Sequence, residues 1–373
     1  MGDRKMCSTV YGQESFDSAW HGLSDNVSNI ILSDSTWKRL PHAQVETILL
    51  WLPLEYLCRC RAVSKEWNTL LSSSRFLNVW NDMSQNRNSW LVFLNNSSCF
   101  LYYCFSTGTW RRISTSFQST STSFRSKRIA YYNNCKGSSA GLLLLDKETS
   151  VYVCNPLTRT SLQLPQCLSM KTARTKGIVG GKDCYTVAAS NCNSKSIEIY
   201  NSIDKEWTIV DRLNRHCHDM AFSDGFLLCL ICRPPLGVMV YSFRGCNIDS
   251  IDFVASPPSL PTHSRLVLCN SSLLLITANR DYNYVVNQIT VLKFQKNHAN
   301  LSDSSWEEIG RMPPSVCDVF NRTTLRSRVG CSPFCECVGI GENIYFNRGG
   351  SREVVEFNVM QGLWNVLPTC PAD

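Results

Sequence analysis

Residues Tyr200–Trp207 read YNSIDKEW, with an aromatic residue and a tryptophan seven positions apart and turn-forming residues between them. This order is typical of a strand, a tight turn and a returning strand. The same spacing recurs between Tyr103 and Trp110 and between Phe357 and Trp364. We therefore expect one β-hairpin to be repeated along the chain.

Weaker copies of the hairpin fill the gaps between these three. We call the residue at the position of the tryptophan the marker of a hairpin, and the markers of the weaker copies are Leu162, Ile251 and Trp306. Together with Trp110, Trp207 and Trp364 they follow one another about 50 residues apart. That is the period of a kelch blade, which is a four-stranded sheet of a β-propeller. The predicted fold of residues 90–368 is an all-β, kelch-type propeller of six blades with degenerate repeats. A β-sandwich with a chance spacing of tryptophans is the alternative.

The chain before the propeller follows a different pattern. Residues 1–35 are polar, show no sustained period and are expected to form a flexible leader. Residues 36–80 predict a small all-α domain, and Pro53 ends or kinks its first helix. The apolar residues of that helix have the spacing of one helical face: Val45, Ile48, Leu49 and Leu52. So short a segment cannot bury all of its apolar surface, and we expect a partner protein to cover part of it.

Composition excludes several classes of protein. Of the 373 residues, 43% are hydrophobic and 18% are charged, which is typical of a globular chain. No apolar run reaches the roughly 18 residues of a membrane-spanning helix, and the first residues lack a secretion signal. We therefore expect no membrane partner and a location in the nucleus, the cytoplasm or both. There the 20 cysteines would stay reduced.

The cysteines are expected to be packing residues, with no cofactor and no metal. Zinc binding, the alternative, needs ligands that converge from paired motifs. Cys229 and Cys232 are three residues apart in an expected strand, which sends their side chains to opposite faces. The run His216-Cys217-His218 has no second pair of ligands at zinc-finger spacing.

The net charge of +7 is unevenly distributed. No acidic residue lies between Asp82 and Asp146, where the chain is Ser-rich. We expect the basic residues of this stretch to meet an acidic patch on a target protein, and we expect no direct contact with nucleic acid. A solvated loop without a partner is the alternative. The candidate target-binding residues are Arg111, Arg112, Arg125, Lys127, Arg128 and Lys136.

Part of the all-α segment resembles the F-box. It opens with Leu40-Pro41, continues with a helix that contains Ile48-Leu49 and ends in Leu52-Pro53, and closes with Val63-Ser64-Lys65-Glu66-Trp67. The rest of the chain resembles the degenerate kelch region of plant F-box/kelch-repeat proteins, and among them the Unusual Floral Organs branch. That resemblance is carried by Asn155–Thr158, Leu164-Pro165, Trp306–Pro313 and Phe334–Gly339.

The resemblance implies a substrate-recognition subunit of an SCF-type ubiquitin ligase. In that family the F-box docks on a Skp1-like adaptor, and through it on a cullin-based ligase, while the C-terminal domain captures a target protein for ubiquitination. Trp67 could instead hold the F-box helices together. The motif positions expected to dock on the adaptor or to support docking are Leu40, Pro41, Ile48, Leu49, Leu52, Pro53, Val63 and Trp67.

Two other functions remain open on the sequence. A non-degradative nuclear adaptor that assembles transcription-regulating proteins would need the same two surfaces. An enzyme would need converging titratable groups. The six histidines are scattered and no nucleophile-elbow or phosphate-loop motif is present, so we expect a non-catalytic subunit.

Overall fold

The structure is a computed structural model, and it describes residues 40–52, 54–85, 94–96, 99–104, 108–114, 118–119, 134–139, 141–147, 150–168, 175–180, 184–191, 196–212, 217–223, 225–231, 236–244, 247–255, 261, 264–270, 272–280, 285–295, 305–322, 335–348 and 352–369.

The N-terminal compact unit ends at Leu71 and its described part is helical. Val45 and Leu49, one helical turn apart, are both buried on the first helix. The third helix starts after Ser64, whose Oγ accepts a hydrogen bond from the backbone N–H of Trp67 at 3.1 Å, an N-cap that satisfies a free donor of the first turn. The helices are α1 (His42–Leu50), α2 (Leu54–Cys60) and α3 (Lys65–Leu71).

The second compact unit, Ser72–Asp373, begins with α4 (Ser74–Gln85) and continues as β-sheets. The N-terminal sheet contains β1 (Leu94–Asn96), β2 (Cys99–Cys104) and β3 (Thr109–Ser114). Blade 1 contains β4 (Gln118–Ser119), β5 (Asn134–Ser139), β6 (Leu142–Lys147), β7 (Ser150–Asn155) and β8 (Thr160–Gln163). Blade 2 contains β9 (Thr175–Gly180), β10 (Tyr185–Asn191), β11 (Ser196–Asn201) and β12 (Glu206–Arg212).

Three further blades follow in chain order. Blade 3 contains β13 (Cys217–Ser223), β14 (Phe226–Ile231), β15 (Gly237–Arg244) and β16 (Asn247–Ala255). Blade 4 contains β17 (Arg265–Cys269), β18 (Ser272–Arg280), β19 (Val286–Gln295) and β20 (Ser305–Arg311), and α5 (Pro314–Phe320) follows it. Blade 5 contains β21 (Cys335–Ile340), β22 (Asn343–Arg348), β23 (Val354–Asn358) and β24 (Leu363–Val366).

The blades form a propeller because their inner strands lie side by side. In chain order, β5, β9, β13, β17 and β21 each adjoin the next. An apolar core fills each junction between successive blades, and a further core packs blade 5 against the N-terminal sheet. That last core contains Tyr103, Tyr345, Val354 and Leu367. Burial on both faces of each sheet thus replaces the two stacked layers of a sandwich.

The repeated hairpin has the geometry that its sequence predicts. Tyr200 and Trp207 are cross-strand partners with ring centroids 5.5 Å apart. The pairs Tyr103–Trp110 and Phe357–Trp364 have the same register, with centroids 5.2 and 4.6 Å apart. The connecting turn is opened by Asn201, whose Oδ1 accepts the backbone N–H of Ile203 at 2.9 Å, and closed by Lys205 at a φ of 60°. Such Asx turns are a favourable local way to reverse a strand.

The tryptophans of these hairpins also link neighbouring sheets. Trp207 Nε1 donates to the carbonyl oxygen of Pro165, which follows the last strand of blade 1, at 2.8 Å. Trp110 Nε1 of the N-terminal sheet donates to the carbonyl oxygen of Pro368, which follows the last strand of blade 5, at 2.6 Å. Both prolines stand in a Leu-Pro pair, so the two junctions are built alike.

The blade count differs from the prediction of six. Among the described residues, five sheets have four or five strands and the N-terminal sheet has three. The Trp110 hairpin is a true copy of the repeat, but its sheet is not a four-stranded blade. Blade 1 has a fifth strand because β4 pairs in parallel with β8.

Leu162 is also the wrong marker for blade 1. The residue of blade 1 that is equivalent to Trp207 is Ser161, which pairs with Cys154. Leu162 pairs instead with Val153, and its side chain is 41% exposed. A shift of one residue moves a side chain to the other face of a strand.

Candidate functional site

Seven of the eight F-box motif residues are described by the structure, and they fall into two groups. Pro41 and Val63 are exposed, with Val63 at 44%, and Leu40 and Ile48 are half-buried. Leu49, Leu52 and Trp67 are buried, so they are placed to support the helices instead of offering a surface. Pro53 lies outside the described residues. Docking of the exposed group on an adaptor stays a prediction.

Trp51, which is not one of the eight motif residues, is a further exposed apolar residue of the F-box segment. It caps the end of α1 and is 54% exposed, which is unusual for so large an apolar side chain. It stands one turn after the half-buried Ile48. The sequence signal was the apolar run 48–52, which is wider than one helical stripe. Trp51, Ile48 and Val63 supply apolar area of the kind that partner proteins cover.

The basic stretch between Arg111 and Lys136, which was predicted to bind a target protein, contains more β-strand than its sequence suggested. Arg111 and Arg112 lie on β3, with Arg111 half-buried, and Lys136 stands at a β-bulge of β5. Arg125, Lys127 and Arg128 lie outside the described residues. The returning strand of the Tyr103–Trp110 hairpin accounts for Arg111 and Arg112. The sequence of β5 has no alternating apolar positions, so only its pairing with β6 placed Lys136 in a sheet. Target binding by these six residues stays a prediction.

The inner strands of blades 3 and 4 are joined by a charged contact. Asp219 Oδ1 lies 3.5 Å from Arg265 Nη1, and its Oδ2 accepts the backbone N–H of Leu266 at 2.8 Å. Burial, together with the positive charge of Arg265, lowers the pKa of the adjacent His218 to about 4. This arrangement fixes two strands to each other, and His218 is neutral at physiological pH.

The cysteine and histidine side chains form no metal cluster where the structure describes them: no group of three His, Cys, Asp or Glu residues is placed to hold an ion. Burial and the neighbouring Cys58 raise the pKa of the Cys60 thiol to about 11. Burial likewise raises the pKa of Cys269 to about 11. Because the thiolate is the ligand and the nucleophile, neither residue is suited to those roles.

In the segments that the structure describes, none of the helices is both long and apolar enough to cross a bilayer.

Comparison with known proteins separates the chain into the same two parts. The sequence profile of the F-box domain matches residues 37–78, and that of the KIB1-4 beta-propeller matches residues 112–347. The Unusual Floral Organs protein of Arabidopsis thaliana is 24% identical over 370 residues, which cover 90% of this chain and 79% of the relative. An F-box/kelch-repeat protein of the same plant is 24% identical over 364 residues, which cover 91% of this chain and 84% of the relative.

Proposed function

Because the chain belongs to the KIB1-4 beta-propeller family and carries an F-box domain, we propose that it is the substrate receptor of an SCF-type ubiquitin ligase. The observation that carries this proposal is the pairing of an F-box with a propeller in one chain. F-box proteins with a propeller are typically receptors of this kind. The receptor itself would be non-catalytic and would act in the nucleus, the cytoplasm or both.

The F-box, proposed to span residues 36–80, would dock on a Skp1-like adaptor. Pro41, Val63 and the half-buried Leu40 and Ile48 would contact the adaptor, and Trp51 would extend the same surface. A few apolar anchors supply most of the energy of such interfaces. Leu49, Leu52 and Trp67 would keep the anchors in position.

The propeller, proposed to span residues 90–368, would capture the target protein. Rigid β-scaffolds commonly carry binding residues on the segments that connect their strands. The basic stretch between Arg111 and Lys136 is our candidate for part of that surface.

Adaptor binding by surface variants tests the proposal. Leu40→Ala combined with Pro41→Ala should weaken co-purification with a Skp1-like protein, because truncating anchors costs about 1–4 kcal/mol each. Val63→Asp should do the same by placing a charge in an apolar interface. Lys65→Ala, an exposed change just outside the anchor group, is the matched control.

The double variant, Val63→Asp and Lys65→Ala should all keep the circular dichroism spectrum of the parent. Trp67→Ala should instead lower the stability of the F-box, by about 3–5 kcal/mol for a buried tryptophan. If the folded double variant and Val63→Asp both bind the adaptor as tightly as Lys65→Ala, the docking surface is wrong.

A non-degradative nuclear adaptor that assembles transcription-regulating proteins is the second candidate, because it would use the same two surfaces. Measuring the abundance of the target protein after proteasome inhibition distinguishes the ubiquitin-ligase receptor from the non-degradative adaptor. A rise in target abundance supports degradation, and an unchanged level supports assembly.

A further inference from the structure

The outermost strand of each sheet is an edge, and most of these edges carry features that discourage pairing with another chain. Free backbone N–H and C=O groups along an edge bind a further strand unless charges, bulges or a covering segment prevent it. Charged residues occur on β3, β12, β16 and β20. The ladders that pair β12, β16 and β20 with their neighbours each contain a register shift. These four outer edges are therefore unsuited to strand addition.

The outer strands of blades 1 and 5 lack both features. β8 reads TSLQ and β24 reads LWNV, and both pair with their neighbours without a register shift. In blade 1, Leu164 N donates to Val151 O at 2.9 Å. In blade 5, Leu367 N donates to Val354 O at 2.9 Å. The two outer hairpins therefore share one register, and their outer edges can be compared residue by residue.

In blade 1 a further strand covers this edge. β4 pairs in parallel with β8 and places Ser119 opposite Ser161. Ser161 has the hairpin position that Trp364 has in blade 5. Among the described residues, no strand pairs with the outer edge of β24, which is the last strand of its sheet. The fold thus covers one of two matching edges with a short extended segment, and no described segment covers the other.

The outer edge of β24 presents main-chain groups at two positions. In an antiparallel ladder, directly bonded pairs alternate with pairs whose N–H and C=O groups point away from each other. Because Leu367 and Val354 form a bonded pair, Val366 directs these groups away from β23. Trp364, two residues earlier, does the same. An extended chain has its own outward groups at this two-residue spacing, so its main chain matches the edge.

Apolar side chains lie along the same edge, on a turn that is held in place. Met360 in the turn is 66% exposed, and Leu363 and Val366 are 55% and 39% exposed. Asn358 fixes the turn, because its Oδ1 accepts the backbone N–H groups of Met360 at 3.1 Å and of Gln361 at 2.7 Å. The edge is therefore preformed, and a strand that pairs with it orders little of the receptor.

We propose that β24 receives an uncharged, extended segment of the target protein as a further strand of blade 5, an inference that rests on the proposed receptor function. The main chain of the segment bonds Trp364 and Val366, in the way that β4 pairs with β8. Its apolar side chains cover Leu363 and Met360, where a charged side chain would lose hydration without gaining a partner.

A second copy of this chain is a poorer occupant of the edge. Pairing two strands of four residues buries far less than the roughly 1,200 Å² of a stable interface between folded proteins. A flexible segment of a target bound elsewhere on the receptor needs no such area, because its binding to β24 is intramolecular within the complex.

Peptide binding to edge variants tests this proposal. The full chain, purified with its adaptor, is titrated with a fluorescent peptide of alternating valine and threonine that has serine and glycine at its ends. The same peptide with N-methyl groups on its central residues keeps the side chains and lacks the main-chain donors. Val366→Pro removes an outward N–H at an edge position that tolerates proline, and Leu363→Lys adds a charge to the edge. Ile251→Lys, at a similarly exposed residue of the outer strand β16, is the matched control.

The parent should bind the unmodified peptide about fivefold or more tightly than the N-methylated one, the effect of losing one hydrogen bond. Val366→Pro and Leu363→Lys should each weaken binding by a similar factor, with Ile251→Lys unchanged. If Val366→Pro loses the circular dichroism spectrum of the parent, Leu363→Lys decides the result.

Equal binding of the two peptides, equal binding by the edge variants and the control, or no binding to the parent overturns the proposal. A parent dimer in sedimentation that Leu363→Lys dissociates would assign the edge to a second copy and would also overturn it. Co-purification of the adaptor is scored separately, so a failure of the receptor function is recognised as such.

Discussion

At the residue scale, we expect His218 to make the stability of the propeller depend on pH. Burial and the charge of Arg265 hold its pKa at about 4, whereas a histidine in the unfolded chain has a pKa of about 6.5. The unfolded state therefore binds the proton more readily between these values. The free energy of unfolding should be fully retained above about pH 6.5 and fall toward pH 4, by at most about 1.4 kcal/mol per pH unit. Urea unfolding of the parent and of His218→Gln across this range measures the effect, and the variant should show a shallower dependence. Equal slopes would contradict it.

At the scale of elements, β20 of blade 4 meets β23 of blade 5 at Gly310. A Cβ atom at this position would overlap the ring of Phe357, which is fully buried. We expect Gly310→Ala to lower the free energy of unfolding by about 1–3 kcal/mol, the usual cost of overpacking a core. Adding Phe357→Leu should recover part of that loss, because the smaller side chain leaves room for the methyl group. Ser305→Ala, exposed on the same strand, is the control. Denaturant midpoints are compared for the parent, Gly310→Ala, Phe357→Leu, the double variant and the control. Losses in the double variant that equal the sum of the two single losses would disprove the close approach.

At the scale of the propeller, the last residues of the chain join blade 5 to the N-terminal sheet. Leu367 is part of the core between them, and the carbonyl of Pro368 accepts the indole N–H of Trp110. Removing residues 367–373 should therefore cost about 2–5 kcal/mol for the lost leucine and about 1 kcal/mol for the hydrogen bond. Hydrogen exchange should speed up in β1–β3 and β21–β24 first, while blades 2 and 3 stay protected. Removal of residues 371–373 alone is the control. Uniform exchange across the propeller after the longer truncation would show that this contact does not close it.

Local patterns were sufficient for the three hairpins with an aromatic residue and a tryptophan, for the first helix and for the F-box match. An aromatic residue seven positions before a tryptophan, with turn residues between, specifies its own register, because the turn length sets which residues face each other. The Asn201 turn and the Ser64 cap are likewise made by neighbours in the chain. Such features depend on contacts within a few residues, so the local sequence encodes them.

Three features depended on contacts between distant residues, and only the folded chain supplied them. The strand count of the N-terminal sheet and the pairing of β4 with β8 follow from which segments meet in space. Leu49 and Val63 are both apolar motif residues, yet one is buried and the other exposed, because burial depends on how the helices pack. Periodicity within a segment carries no information about its distant neighbours, and this is why the pairing of the strands and the burial of the F-box residues became visible only in the tertiary structure.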